Sequence, residues 1–297
     1  MWWRVYLSAV LLTLLGCRQA WGGQVTIENP EPAKVTYVPE REVAAALQSA
    51  RPEAPGVAVA RVTEGPNYRV LLARRSAPGP AEVDRDWSEI WYVIRGTGAL
   101  STGGSLAERA LVGDEAHRIA KGDVITIPAG VPQRVRSIDG NGIDYMLVKF
   151  HAAGDTEAAG KNRRIWFYSA AQIDSAAHNA PESRLTPGNY GVSLDGDAGY
   201  GNGINRRTGP GTAHADKGWN EVWYVIVGSG VQVTGGTLVD PQPGHAGELR
   251  SSAISGGEER RISPGDMIIV PAGVPHWVRS IDGKEITYFS PKIASPK

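Results

Sequence analysis

The clearest pattern along this chain is alternation with a period of two. From Glu221, "EVWYVIV" places Glu221, Trp223, Val225 and Val227 on one side of an extended segment. Its β-branched and aromatic content favours a strand, and Gly228 ends it. From Asp266, "DMIIVPAGVPHWVRS" reads as strand, turn, strand, with "PAGVP" as the turn. Many short strands at regular spacing predict an all-β sandwich or barrel. Two Ala-rich stretches break the pattern and predict helices: "EREVAAALQSA" from Glu40 and "SAAQIDSAAHNA" from Ser169.

The strand pattern occurs twice. Arg74 to Gly104 aligns without a gap on Arg206 to Gly236, and Arg118 to Gly140 aligns without a gap on Arg261 to Gly283. Between these blocks the second copy carries extra residues, including "PQPGHAGEL". The polar, small "HAAGDTEAAGKN" (151–162) has the composition of a linker. The expected organisation is therefore two domains, 36–150 and 163–294, each preceded by a short helix.

Composition narrows the picture at two points. Formal charge is zero and no basic stripe is visible, so a nucleic-acid partner is not expected. At the N-terminus, Arg4 precedes the apolar run "VYLSAVLLTLL", which is too short to span a bilayer and suits a secretory signal over 1–22, with small residues around "AWG" for cleavage. This predicts a secreted or periplasmic protein without a membrane span. Within "LLGC", Cys17, the only cysteine, offers a lipoprotein reading instead. A frayed apolar terminus is the bland alternative.

The second copy resembles the cupin superfamily. His214-x-Asp216, four residues, Glu221, six residues and Gly228 follow the first cupin motif. Gly265, five residues, Pro271-x-Gly273, two residues and His276 match the second. The resemblance implies two tandem cupin-type β-barrels, the double-stranded β-helix or jelly roll. It also places His214, Glu221 and His276 on metal-ligand positions. Two imidazoles and a carboxylate suit a divalent transition metal with open positions. Asp216 stands where the family usually has a second His. As a fourth ligand it would favour Fe2+ or Mn2+, with Zn2+ or Ni2+ also accommodated. Unligated, Asp216 would be an acid/base group, and Glu221 shares the catalytic assignment. Alternation adds Trp223 as a pocket wall, with Trp219 and Asn220 near the mouth and Trp277 pointing away.

In the first copy the corresponding residues are Glu82, Asp84, Glu89 and Gln133, so both imidazoles are gone. Two readings stay open: a barrel that has lost its metal, or an all-oxygen site for a hard cation. His117, His151, His178 and His245 read as surface or loop residues. So do Lys149 and Lys292, after the final strand of each copy. "DGDAGYGNGIN" (195–205) lacks the Lys-Ser/Thr of a phosphate loop and reads as a long loop.

Because cupins host many chemistries, the resemblance leaves function open. The leading expectation is a metal-dependent enzyme, an oxygenase or a lyase/isomerase, acting on a small oxygenated or aromatic molecule. The alternatives are a non-catalytic small-molecule or carbohydrate binding protein and a structural unit used in homo-oligomer assembly.

Overall fold

The computed structural model describes residues 34–107, 110–151, 165–245 and 247–296. The predicted signal segment and Cys17 lie outside the described residues, as does most of the predicted linker. Both predicted helices form: α1 over Glu40–Gln48 and α2 over Ala170–Asn179. Ser169 caps α2 through a capping box with Gln172. Nearly everything else is strand.

Each copy curls its antiparallel strands into a barrel. In the first, the long strands Ser88–Thr102 and Gln133–Phe150 pair along their length, and Tyr68–Arg75 extends the sheet. In the second, Trp219–Thr234 pairs with His276–Phe289, and Tyr200–Arg207 takes the equivalent outer place. Alternation along these strands sorts side chains into two environments. Inward positions fill the barrels, with Trp91 stacked on Tyr145 in the first and Trp223 stacked on Tyr288 in the second, each pair 4.2 Å apart. Outward positions are buried against the other barrel in a core made from both copies. Tyr92 and Tyr224, equivalent residues of the repeat, meet there at 4.7 Å.

"DGDAGYGNGIN" is not a loop, which corrects the sequence reading. It forms a hairpin between Asn189–Gly196 and Tyr200–Arg207. Asp197 accepts from the Gly199 and Tyr200 amides to close the turn. Tyr200, Asn202 and Ile204 alternate into the interior, and the glycines had masked that period.

A second difference concerns the leading strands. Thr36–Val38, expected in the first domain, pairs with Met267–Val270 of the second barrel. Trp166–Tyr168 pairs with Val124–Ile127 of the first. The copies thus exchange strands. The Gly-Asp turn of each barrel fastens the exchange. Asp266 Oδ1 accepts from the Glu40 amide at the start of α1, and Asp123 Oδ1 accepts from the Ala170 amide at the start of α2, both at 2.8 Å. These carboxylates satisfy orphan donors of helices that lead into the opposite copy.

Candidate metal centre

Two strands bring the imidazoles together. His214 lies on Ala213–Asp216 and His276 opens His276–Phe289, and the two are directly opposed in the ladder. Their rings sit 4.0 Å apart. Glu221, on Trp219–Thr234, enters from the adjacent strand. One ligand atom from each of these residues lies within 4.8 Å of the other two, and no other such group occurs among the described residues.

The donor set has its free nitrogens prepared. His214 Nδ1 donates to the Thr212 carbonyl at 3.2 Å, and His276 Nδ1 to the Val274 carbonyl at 3.0 Å. A carbonyl only accepts, so Nδ1 carries the proton in both rings and Nε2 keeps its lone pair. His276 is 1% exposed, and its Nε2 makes no hydrogen bond. A buried, unpartnered acceptor beside a carboxylate, with Nε2 3.6 Å from Glu221 Oε2, is what a divalent cation would satisfy.

Glu221 is fixed by two further contacts that spacing did not reveal. The Trp223 indole donates to Oε2 at 2.9 Å, and the Lys292 ammonium sits 2.7 Å from Oε1. Lys292 is therefore not the surface residue the sequence suggested. Its side chain is only part-buried, but its ammonium is turned onto the carboxylate. Burial pushes the Glu221 carboxyl up, but the adjacent Lys292 ammonium outweighs it and holds it well below the usual carboxylate range. Burial also drives His214 well below the ordinary imidazole value, and the Arg207 and Lys292 charges add to it against the raising effect of the Glu221 carboxylate. Both groups thus sit in their metal-binding forms near neutral pH.

This sets a pH dependence. The His214 shift favours the neutral ring in the folded chain, so the unfolded chain takes up the proton first as pH falls. The metal-free protein should therefore lose stability on acidification through about pH 6.5, by up to about 1.4 kcal/mol per pH unit, towards the lower folded pKa. Urea titrations at several pH values should show the slope in wild type. It should be absent from His214→Gln over that window.

Lys292→Met should separate two effects. Removing the ammonium leaves Glu221 buried without its counter-ion, a loss of about 3 kcal/mol in the metal-free protein. It also removes a cation that repels the incoming metal. Thermal unfolding should show a lower metal-free midpoint and a larger metal-induced rise than wild type.

Asp216 stands apart from the triad. It lines the same cavity of about 420 Å³, but its Oδ1 accepts from the Gly218 amide, and burial raises its pKa. Trp223 also lines the cavity. Asn220 and Trp219 are not among its lining residues. The Asn220 amide instead ties the Ala272 amide to the Ile293 carbonyl. Trp277 points away and donates to Gly211 O. Sequence reasoning missed Arg207, Tyr288 and Lys292 on the wall, while His245, read as a surface or loop residue, is exposed and also lines the cavity.

The first barrel repeats this register with other chemistry. Glu82 and Gln133 bridge at the position of the His pair. Glu89 Oε2 accepts from Trp91 and from the Gln133 amide, while Lys149 lies 3.0 Å from Oε1 and 2.7 Å from Asp84. Arg75 pairs with Glu82 at 2.9 Å. The acids that an all-oxygen site would use are bound to cations of the chain itself. Lys149 thus also lies inside its barrel rather than at the surface, held between two carboxylates.

An all-β chain of two jelly rolls with a His/His/Glu cluster in one of them is a bicupin. Residues 212–294 match the cupin family model, and residues 73–163 match that of the AraC-like ligand binding domain. The chain belongs to the cupin superfamily as a two-domain member. Its fold is similar to that of oxalate decarboxylases. A point mutant of the Bacillus subtilis enzyme OxdC superposes with a TM-score of 0.53 at 12% identity, covering 88% of this chain and 78% of that one. The Lactobacillus farciminis enzyme, solved as a formate complex, gives 0.52 at 13% identity, covering 84% and 85%. No curated protein sequence matches. No helix among the described residues is long and apolar enough to cross a membrane.

Proposed function

We propose that this protein is an exported, metal-dependent enzyme whose second barrel holds one divalent transition metal on His214, Glu221 and His276. The observation that carries the reading is the unpartnered His276 Nε2, buried beside Glu221 and opposite His214. Two imidazoles and one carboxylate favour Fe2+ or Mn2+ and accommodate Zn2+ or Ni2+. When bound, the metal would polarise an oxygen of a small substrate or, if redox-active, supply oxygenation chemistry.

The chain's own groups set the rest of the chemistry. Trp223 and Lys292 hold the Glu221 carboxylate in one orientation. Trp223 and Tyr288 exclude water from the inner wall. Asp216 lies in the cavity with its carboxyl pKa raised, which suits a group that takes up and returns a proton. The reaction class is a lyase or isomerase step, or an oxygenation. Similarity to oxalate decarboxylases supports the lyase side through shared architecture.

The test is metal content joined to turnover. The protein is loaded separately with manganese, iron and zinc and given a panel of small oxygenated acids and alcohols. Carbon dioxide release and oxygen uptake are followed. Turnover with manganese or iron that Asp216→Asn lowers at least tenfold supports the reading. One bound metal with no turnover on the panel favours a binding protein, and absence of metal removes the reading.

A further inference from the structure

The second barrel contains a buried positive charge that its twin neutralises and it does not. Arg75 and Arg207 are equivalent residues at the ends of equivalent strands, and each is 4% exposed. In the first barrel the Arg75 guanidinium meets Glu82 at 2.9 Å. The repeat places His214 at the position of Glu82. No carboxylate lies within 4.0 Å of Arg207 among the described residues. Its Nε donates to the Tyr288 hydroxyl at 2.9 Å, while its Nη1 is buried without a partner. A guanidinium cannot shed its proton to escape burial, so Arg207 stays charged in this cavity and open to an anionic ligand.

The surroundings say what kind. Arg207 lines the cavity that also holds His214, Glu221 and Asp216. Tyr288, stacked on Trp223, holds the guanidinium through the hydrogen bond from Nε to its hydroxyl. A Cβ on Gly211 would stand 2.5 Å from Nη1, so the glycine leaves room for the guanidinium. A planar, pre-oriented fork matches a carboxylate bidentately. Asp216 and Glu221 in the same cavity disfavour a doubly charged phosphate. The other buried charges of this cavity are occupied: Glu221 by Lys292 and Glu248 by Arg250.

We infer that Arg207 is the specificity-determining residue of the second barrel, binding the carboxylate of a small oxygenated organic acid whose other oxygen is directed at the His214–Glu221–His276 cluster. This deepens the proposed function and rests on it for the role of the cluster. The contact to Arg207 stands without it. Where the first barrel has Glu82 against Arg75, the second has His214, one of the two imidazoles, and Arg207 has no carboxylate partner among the described residues. The Glu82/His214 difference therefore bears on both groups: with His276 it supplies the imidazole pair, and it leaves the arginine without the carboxylate its twin has.

The experiment is calorimetric binding to the zinc-loaded protein, with metal content measured on the same samples. Pyruvate and glycolate are compared with pyruvamide and glycolamide, which keep the shape and lose the charge. Wild type should bind each acid at least tenfold more tightly than its amide. Arg207→Gln should bring that ratio within about twofold while one equivalent of zinc remains, and Arg207→Lys should restore part of it. Gly211→Ala, which keeps the arginine but crowds its Nη1, should also reduce the ratio. An acid preference that survives Arg207→Gln, or no preference in wild type, overturns the inference. If wild type holds no zinc, the metal reading fails by itself, and the same comparison on the metal-free protein still decides the role of Arg207.

Discussion

Replacing His276 with alanine should take bound divalent metal from about one equivalent to below about a tenth, because one of only three protein ligands is lost. His276 supplies the one ligand nitrogen that is both buried and without any alternative partner. The substitution also breaks the pair that the ladder sets face to face, leaving His214 and Glu221 on separate strands. The control is Gln133→Ala, at the same register position of the first barrel. There the carboxylate Glu89 is already held by Trp91 and Lys149, so metal content should not change. Mass spectrometry of the dialysed proteins checks both. Two equivalents in wild type, one of them lost in Gln133→Ala, would mean that the first barrel binds metal despite its internal ion pairs. His276→Ala should still fold. It leaves a cavity next to Trp223 at a cost of roughly 2–4 kcal/mol.

The sequence exposed the triad because cupin ligands sit at fixed spacing within two short strand segments. His214, Glu221 and His276 needed only that spacing and the alternation of "EVWYVIV" to be placed on one interior. The residues that tune the site were hidden for a physical reason. Arg207 and Lys292 both lie at strand ends, where a long cation ordinarily reaches solvent. The burial of Arg207 and the contact of Lys292 with Glu221 follow from barrel closure, which no local pattern encodes. Both also recur in the first copy, so a comparison of the copies marks them as ordinary. Their difference lies in the partner: Glu82 faces Arg75, and nothing equivalent faces Arg207. Asn220 failed as a pocket residue for a related reason. It lies on the ligand strand, but its amide was needed to tie neighbouring backbone. The strand exchange was illegible because Thr36–Val38 is too short to show a period, and its choice of partner is a matter of topology.

That exchange makes Asp266→Ala the substitution with the largest expected effect on stability. Asp266 is 4% exposed and accepts three hydrogen bonds at 2.8 Å, from the amides of Glu40 and Ser263 and from the Tyr37 hydroxyl. Alanine leaves these donors without their acceptor. Hydrogen bonds to a charged group contribute about 1.5–3 kcal/mol each, and partial rehydration brings the expected loss to roughly 4 kcal/mol. For a chain of this size that corresponds to a fall in midpoint of about 10 °C. Asp123→Ala, which removes the Ala170 and Ala120 contacts, should cost less. Gly265→Ala acts on the same junction by sterics. Its φ is +92°, and a Cβ would stand 2.5 Å from Glu40 Cγ. Both Asp266→Ala and Gly265→Ala loosen α1 and Thr36–Val38 from the second barrel, yet the damage should not stay there. Val43 and Leu47 of α1 belong to the core that both barrels share, so calorimetry should record one cooperative transition at lower temperature. Two resolved transitions in Asp266→Ala would mean that each barrel is stable without its exchanged strand.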